Sequence, residues 1–210
     1  MKKKKRSYLS IFLLILVVLM AGSFVKPASI SAATKTGLVK VNGKVRYYKK
    51  GKVVKKKWKT IKKKKYYFKS NGYAATKSYK VKGVTYIFGA NGVLKAHSGS
   101  KNKVYKISGA LYLAAPSGKA ASGLAVYNGK FYYFNAAGKV NKTMTATYQK
   151  ASVYNKSAVT LLSLLGEPLS YADYDSCFGD GKDREYKYSN FTVGTFVPSD
   201  GSEEVFLSVY

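Results

Sequence analysis

Aromatic and lysine side chains recur along residues 37–148, and both can bind ligands without performing a reaction. Aromatic rings can lie against sugar rings or cations, whereas lysines can neutralise phosphate or carboxylate groups. The candidate ring contacts are Tyr47, Tyr48, Trp58, Tyr66, Tyr67, Tyr86, Tyr112, Tyr132 and Tyr133. The candidate polyanion contacts are Lys49, Lys50, Lys52, Lys55, Lys56, Lys57, Lys62, Lys63, Lys64 and Lys65. Alternatively, the rings form the stacking core of the repeats and the lysines form a solvated surface.

The charge is divided sharply along the chain. Residues 34–150 hold 27 Lys and one Arg, whereas all nine acidic residues lie between Glu167 and Glu204. Like charges without compensation oppose a compact state, so the basic part is expected to bind a polyanion. Outside a Gram-positive cell we expect this to be teichoic acid or another anionic wall polymer. Nucleic acid satisfies the same electrostatics, but export makes it a less expected partner.

The N-terminal segment has the layout of a secretory signal peptide. A basic stretch at 2–6 precedes an apolar run from Leu9 to Ala21, and small residues follow up to Ala33. We predict a signal peptide at 1–33 and a secreted product associated with the bacterial surface. An uncleaved anchor is the alternative, but about 20 apolar residues are needed to span a bilayer and this run is shorter. No stable membrane span is expected after cleavage.

The aromatic clusters form an internal repeat that must position the candidate side chains. The apolar residues that close each cluster are 20, 20, 25 and 21 residues apart, and they are Tyr48, Phe68, Phe88, Leu113 and Phe134. Such a period indicates stacked supersecondary units. Each unit is predicted to be a β-hairpin, with its turn after the aromatic strand, as at Asn71-Gly72 and Asn91-Gly92. The longer spacing predicts an inserted loop around residues 97–103.

The order of residues within the units carries a resemblance. A Gly precedes an aromatic pair and another Gly follows it, as in Gly129-Lys130, Tyr132-Tyr133 and Gly138. Over about residues 37–148 this resembles the cell-wall-binding repeat family, which includes choline-binding and glucan-binding repeats. The resemblance implies an elongated β-hairpin solenoid that docks an exported protein on the envelope. In choline-binding members, rings of successive hairpins cage a quaternary ammonium.

The ligand itself stays open at this point. A strand-ending Trp occurs only at Trp58, while the comparable regions of later units hold Tyr79, Leu124 or Met144. The sequence therefore does not choose between choline, a glucan and an anionic polymer.

The composition changes near Ala151, where a small acidic module is predicted. Residues 157–166 have Ser and Gly at the two ends of an apolar run, which predicts one short helix. Residues 184–188, 191–197 and 205–210 predict three strands. The motifs at 165–168, 176–177 and 186–195 are similar to the small α+β domains of the β-lactamase-inhibitor-like and outer-membrane-assembly-lipoprotein type. That similarity implies a module for contact with a protein partner.

Neither catalysis nor a metal site is predicted. The spacing that follows Asp173 does not match an EF-hand calcium loop, because the sixth place holds Phe178 and the twelfth holds Arg184. His97 and Cys177 are the only residues of their types, and no local motif supports a nucleophilic pair. A buried structural thiol is the expectation for Cys177. No catalytic residue, metal ligand or cofactor is assigned.

Together these observations predict a mainly β protein: a β-hairpin solenoid followed by a helix on a three-stranded antiparallel sheet. The predicted parts are a signal peptide at 1–33, basic repeats at 34–150 and an acidic α+β module at 151–210. The predicted function is non-catalytic docking on anionic wall polymer with display of the module. In the alternative, an inhibitor-like or adaptor module is the active part and the repeats only localise it. A third possibility is that the basic and acidic parts bind each other.

Overall fold

The computed structural model describes residues 35–210. The predicted signal peptide therefore lies outside the described residues. In the described part, no helix is long and apolar enough to cross a membrane. Five antiparallel hairpins come first, formed by β1 (Gly37–Val41) with β2 (Lys44–Lys49), β4 (Lys57–Ile61) with β5 (Lys64–Phe68), β6 (Lys77–Val81) with β7 (Val84–Phe88), β8 (Lys103–Ile107) with β9 (Ala110–Ala114), and β10 (Gly123–Tyr127) with β11 (Lys130–Phe134). The two-residue β3 (Lys52–Val53) extends the first hairpin.

The C-terminal part has two helices and a meander sheet. The elements are α1 (Lys142–Ala151), α2 (Val159–Leu165), β12 (Ser170–Asp175), β13 (Gly181–Lys187), β14 (Thr192–Pro198) and β15 (Val205–Val209). The sheet order is β12-β13-β14-β15, so it has four strands and not the predicted three. The missed strand, β12, carries acids and exposed tyrosines without a half-buried alternation, because it lies at the sheet edge. The mainly β architecture of antiparallel hairpins is confirmed.

The hairpin turns lie before the aromatic strands, and the predicted placement after them is wrong. Residues 42–43, 62–63, 82–83, 108–109 and 128–129 adopt the positive φ pairs of tight hairpin turns. Asn71-Gly72 and Asn91-Gly92 instead form loops between hairpins, where each Asn side chain accepts a hydrogen bond from the backbone two residues later. Both kinds of turn use Asn-Gly chemistry, so composition alone does not distinguish them.

Loops between hairpins join each hairpin to the previous one. The N–H of Leu94 donates to the carbonyl of Lys65, and the N–H of Ala120 donates to the carbonyl of Thr85. The next loop repeats this contact between Val140 and the carbonyl of Leu111. Each loop therefore satisfies backbone groups that a two-stranded hairpin leaves unpaired, which produces the solenoid. The inserted loop is present as predicted, since residues 96–102 hold no regular structure.

Helix α1 follows the fifth hairpin, at the position where another repeat would continue the solenoid. Its N-cap is Asn141, whose side chain accepts from the N–H of Met144 at 3.1 Å. The N–H of Tyr133 donates to the Thr145 hydroxyl at 3.0 Å, and the Gln149 amide donates to the carbonyl of Phe131 at 2.9 Å. These two backbone groups occupy the positions that loops satisfy in earlier hairpins. Met144 lies in this helix, so the interpretation of its region as comparable with the strand that carries Trp58 is wrong.

Replacing Thr145 with Val is expected to destabilise the protein by about 1–3 kcal/mol, because the N–H of Tyr133 then loses its partner. The Thr145 side chain is buried, and Val keeps its shape. Thr147→Val, at an exposed position of the same helix, makes the same change in helix propensity and is the control. Urea unfolding followed by circular dichroism measures both variants. Equal losses of stability in the two variants would contradict a stabilising role for the hydrogen bond from Tyr133 to Thr145.

One hydrophobic cluster spans the last hairpin and the C-terminal sheet. It contains Phe131 of β11, Leu161 of α2, and Val193 and Phe206 of the sheet, all buried. The ring of Phe131 meets that of Phe191 at 5.2 Å. The C-terminal module thus packs directly on the end of the solenoid.

Candidate functional site

The ten candidate lysines are all exposed. They belong to the lysine segment, residues 49–65, in which eleven of seventeen residues are Lys. The segment covers the end of the first hairpin, the link to the second and the second hairpin as far as β5. No acidic residue precedes Glu167, so the repeats themselves hold no carboxylate side chain that could neutralise this segment.

The acids of the C-terminal sheet are engaged locally. Arg184 donates to both carboxylate oxygens of Asp173, at 2.6 and 2.7 Å, and Lys182 pairs with Asp175 at 2.5 Å. The hydrogen bond from Arg184 lowers the pKa of Asp173. Within residues 35–210, both ion pairs lie inside this sheet. The third possibility, a clasp between the basic and acidic parts, therefore has no ion pair to support it in the described chain.

The hairpin turn near the end of the lysine segment, at Lys62 and Lys63, is strained. Lys62 and Lys63 both have positive φ, 47° and 61°, while the other hairpin turns place Gly at the second position. A side chain in the left-handed region costs about 1–2 kcal/mol, and Gly avoids that cost. The sequence therefore keeps a charged side chain here against a backbone preference.

Lys63→Gly is expected to stabilise the protein by about 0.5–1 kcal/mol, since Gly adopts the φ of 61° without strain. Lys63→Ala removes the same charge but keeps a Cβ, and is expected to give no such gain. Thermal unfolding of the two variants separates backbone strain from charge repulsion. If both variants gained equally, repulsion among the lysines would be the cause.

Three of the candidate aromatic residues converge between the second and third hairpins. Trp58 of β4 lies opposite Tyr67 of β5, and their ring centres are 5.3 Å apart. Tyr86 and Phe88 of β7 approach Trp58 at 5.1 and 5.8 Å, with Phe88 stacked on it. Tyr79 completes the group at 5.9 Å from Tyr67. We call these five residues the Trp58 cluster, and they pack over the buried residues Ala75 and Leu94.

A cation lies on this cluster. The ammonium of Lys65 is 5.0 Å from the centre of the Trp58 ring. Lys65 is two residues from Tyr67 on the same strand, so alternation puts both side chains on the face that carries Trp58. The candidate ring contacts and the candidate polyanion contacts thus meet at this point.

The remaining candidate rings are dispersed. Tyr47 stacks near Phe68 at 6.0 Å, and Lys35 lies 6.0 Å over the ring of Tyr48. Tyr132 meets Tyr127 at 6.2 Å, and Tyr133 stacks on Tyr148 of α1 at 6.4 Å. Each therefore serves a local contact rather than a shared site.

Two candidate rings lie in the core. Tyr66 and Tyr112 are 5% and 4% exposed and belong to hydrophobic clusters between hairpins. Burial leaves their faces no room for a ligand, so we do not place them in the proposed site.

Sequence reasoning missed Tyr79 and Phe88 as members of the cluster. The strand register explains why only one such cluster forms among the described hairpins. The positions equivalent to Trp58 in the other hairpins, each paired with the residue equivalent to Tyr67, are Leu38, Ser78, Val104 and Leu124. Tyr79 lies one residue beyond the equivalent position and reaches the cluster from the third hairpin. Tyr79 pairs with Tyr86 across the third hairpin, a register that depends on the turn at 82–83 and not on the turn position predicted from the sequence.

The candidate nucleophile pair has no structural support. Both ring nitrogens of His97 are engaged, Nε2 with the carbonyl of Lys101 at 2.9 Å and Nδ1 with the hydroxyl of Tyr105 at 3.2 Å. Cys177 is exposed, so the expectation of a buried thiol is wrong. Among residues 35–210 there is no group of three or more His, Cys, Asp or Glu side chains that could hold a metal ion.

This geometry defines a β-hairpin repeat protein with a helix-capped end and an appended antiparallel sheet. Residues 56–74 match the family described as "Putative cell wall binding repeat". The matched residues run from the link before β4 to the loop after β5 and include Trp58, Lys65 and Tyr67. The predicted resemblance to the cell-wall-binding repeat family is confirmed over these residues. No curated protein sequence matches the chain.

Several solved structures are similar. Choline binding protein F from Streptococcus pneumoniae, in the presence of a peptidoglycan analogue, is 19% identical with a TM-score of 0.37, over 80% of this chain and 44% of that one. The modular Cpl-1 endolysin, from phage Cp-1, is 16% identical with a TM-score of 0.41, over 81% and 37%. The choline binding domain of Spr1274 in Streptococcus pneumoniae is 25% identical with a TM-score of 0.30, over 40% and 93%. The chain spans 33%, 48% and 44% of the first three matched structures.

Proposed function

We propose that this protein is a non-catalytic cell-envelope-binding protein that docks on anionic wall polymer through its basic repeats. The family match supports association with the cell wall. Teichoic acid is the ligand that the charge favours, since its phosphates would replace the counterions around the lysines. In this proposal residues 34–150 form the docking part, residues 151–210 are displayed outward, and the signal peptide at 1–33 directs secretion.

One observation carries the proposal: the exposed lysine segment borders the Trp58 cluster on the same hairpin. A polymer of phosphates and polyols needs cations spaced along an extended surface, together with flat apolar surfaces for its sugar or polyol units. The second hairpin offers both within one repeat, from Lys62 to Lys65 beside Trp58. An enclosed catalytic cleft is not needed for such binding.

Co-sedimentation of the protein with purified Gram-positive cell walls tests this function. Walls with and without their teichoic acids are compared across a salt series. We expect binding that requires the teichoic acid and weakens steeply as salt rises. Binding that survives both removal of the polymer and high salt would move the ligand to a neutral glycan. No binding to either wall at low salt would contradict the docking function.

A second candidate is a protein-interaction role for the C-terminal module, as an inhibitor-like or adaptor protein. The observation that favours it is exposed apolar surface on and beside the edge strand β12. Leu169 and Tyr171 are 76% and 60% exposed, and Tyr174 is also exposed. Large apolar side chains exposed in this way are typical of contact sites. Under this candidate, the variants that abolish wall binding would leave recognition of the partner intact.

A further inference from the structure

The side chain of Lys65 supplies the Trp58 cluster with a cation from within the chain. Its ammonium lies 5.0 Å from the Trp58 ring centre, within the distance of about 6 Å at which an aromatic face attracts a cation. Tyr67 and Tyr86 contact the same indole in T-shaped geometry, and the ring of Phe88 is stacked on it. A cage of aromatic rings is the arrangement that binds quaternary ammonium groups. In this chain the Trp58 ring of the cluster is already paired with the ammonium of Lys65.

Three half-buried tyrosine rings of the repeats are paired with a cation in the same way. Arg46 lies 4.0 Å over Tyr73, Lys95 lies 5.1 Å over Tyr105, and Lys69 lies 5.8 Å over Tyr79. Each pair is formed by residues of the solenoid itself. These four aromatic faces are therefore presented together with a positive charge, and not as free cation acceptors.

We propose that Lys65 is the specificity-determining residue of the Trp58 cluster, which it closes to quaternary ammonium ligands and adapts to phosphate-bearing groups. The inference deepens the proposed function, since it states which chemical group the same face accepts. A phosphate can pair with the Lys65 ammonium while the attached polyol or sugar lies against the rings. A quaternary ammonium must displace Lys65 and also enter a field to which Lys62, Lys63 and Lys64 contribute.

Two costs set the expected loss of choline affinity: competition with the Lys65 ammonium for the ring, and repulsion between the two positive charges. A tethered ammonium competes with any free cation for the same ring face, and this competition alone weakens binding by a few-fold. A second positive charge held about 5 Å from the first is disfavoured by roughly fourfold in a fully aqueous setting and by more at lower effective dielectric. Together they weaken the affinity for choline on the order of tenfold relative to a cluster without Lys65.

The test uses Trp58 fluorescence, because Trp58 is the only Trp of the chain. The full-length protein is titrated with choline chloride and, separately, with glycerol phosphate. The variants are Lys65→Gln, which removes the cation, and Lys65→Arg, which keeps it. Lys64→Gln is the matched control, since it removes the same charge from the neighbouring residue on the opposite face of the strand.

We expect Lys65→Gln to bind choline at least about fivefold more tightly than the wild type, with weaker binding of glycerol phosphate. For choline, Lys65→Arg should resemble the wild type, and Lys64→Gln should gain far less affinity than Lys65→Gln, because the Lys64 side chain lies on the opposite face of the strand from Trp58. The proposal is overturned if the wild type binds choline as tightly as Lys65→Gln, if Lys64→Gln gives the same gain, or if Lys65→Gln shows no response to choline. Wall co-sedimentation is measured separately, so a failure of wall docking does not decide this result.

Discussion

Replacing Gly138 with Ala is expected to lower the free energy of unfolding by about 2–4 kcal/mol. Gly138 lies in the loop after the fifth hairpin and has φ +68°, a region in which a Cβ costs about 1–2 kcal/mol. A Cβ at this position would lie 2.7 Å from the backbone oxygen of Leu113 and 3.0 Å from the Cβ of Ala120. A backbone oxygen cannot rotate away as a side chain can, so the repeats would have to separate.

Gly109→Ala is the matched control for this prediction. Gly109 has a comparable φ of +81°, but a Cβ added there would meet no atom within 4 Å, because this residue lies in an exposed hairpin turn. We expect a cost of about 1 kcal/mol there, from backbone conformation alone. Urea unfolding followed by circular dichroism measures the difference between the two variants. Equal costs would show that close approach between repeats does not contribute to stability.

The second large effect concerns the lysine segment. Changing Lys55, Lys56 and Lys57 together to Gln is expected to weaken wall binding by on the order of 10- to 100-fold near 0.15 M salt. Each lost phosphate contact removes about 0.7 from the slope of log affinity against log salt for a single-stranded polyanion, so the slope should fall by about 2. Co-sedimentation with teichoic-acid-bearing walls measures both quantities.

The matched control changes three lysines elsewhere in the repeats to Gln, at Lys101, Lys103 and Lys106. These residues are exposed and lie in or just before the fourth hairpin, so the change in net charge is the same. A smaller fall is expected because the charge there is less dense. If both triple variants weakened binding equally, net charge would govern docking and the lysine segment would not be a localised site.

The existence of the repeats could be predicted because it depends on local pattern. Tyr48, Phe68, Phe88, Leu113 and Phe134 recur at a nearly constant interval, and each lies in the aromatic strand of a separate hairpin. The position of the turns could not be predicted in the same way. Asn71-Gly72 has the composition of a hairpin turn, yet it forms an inter-hairpin loop, since the strand before it pairs with β4 and the strand after it pairs with β7.

The helix at 142–151 was not predicted from the sequence, for a related reason. Met144 follows the fifth hairpin at a distance suited to another strand, but no sixth hairpin is present in the described chain to continue the ladder. The free backbone groups of Phe131 and Tyr133 are instead satisfied by Gln149 and Thr145, which a helix brings to the same face. β12 was missed because an edge strand with exposed tyrosines and acids lacks a period-two pattern.

The sequence alone determined the charge separation, the repeat period and the candidate side chains, since these are properties of order and composition. Tertiary structure decided which candidates meet. Trp58, Tyr67 and Lys65 share one hairpin face, while Tyr86 reaches them only because the third hairpin stacks on the second. Tyr66, one residue from Tyr67, alternates to the buried side. Whether an aromatic ring lies in the core or on a contact surface depends on which residues pack against it. Those residues come from neighbouring repeats, so they are determined by how the repeats stack.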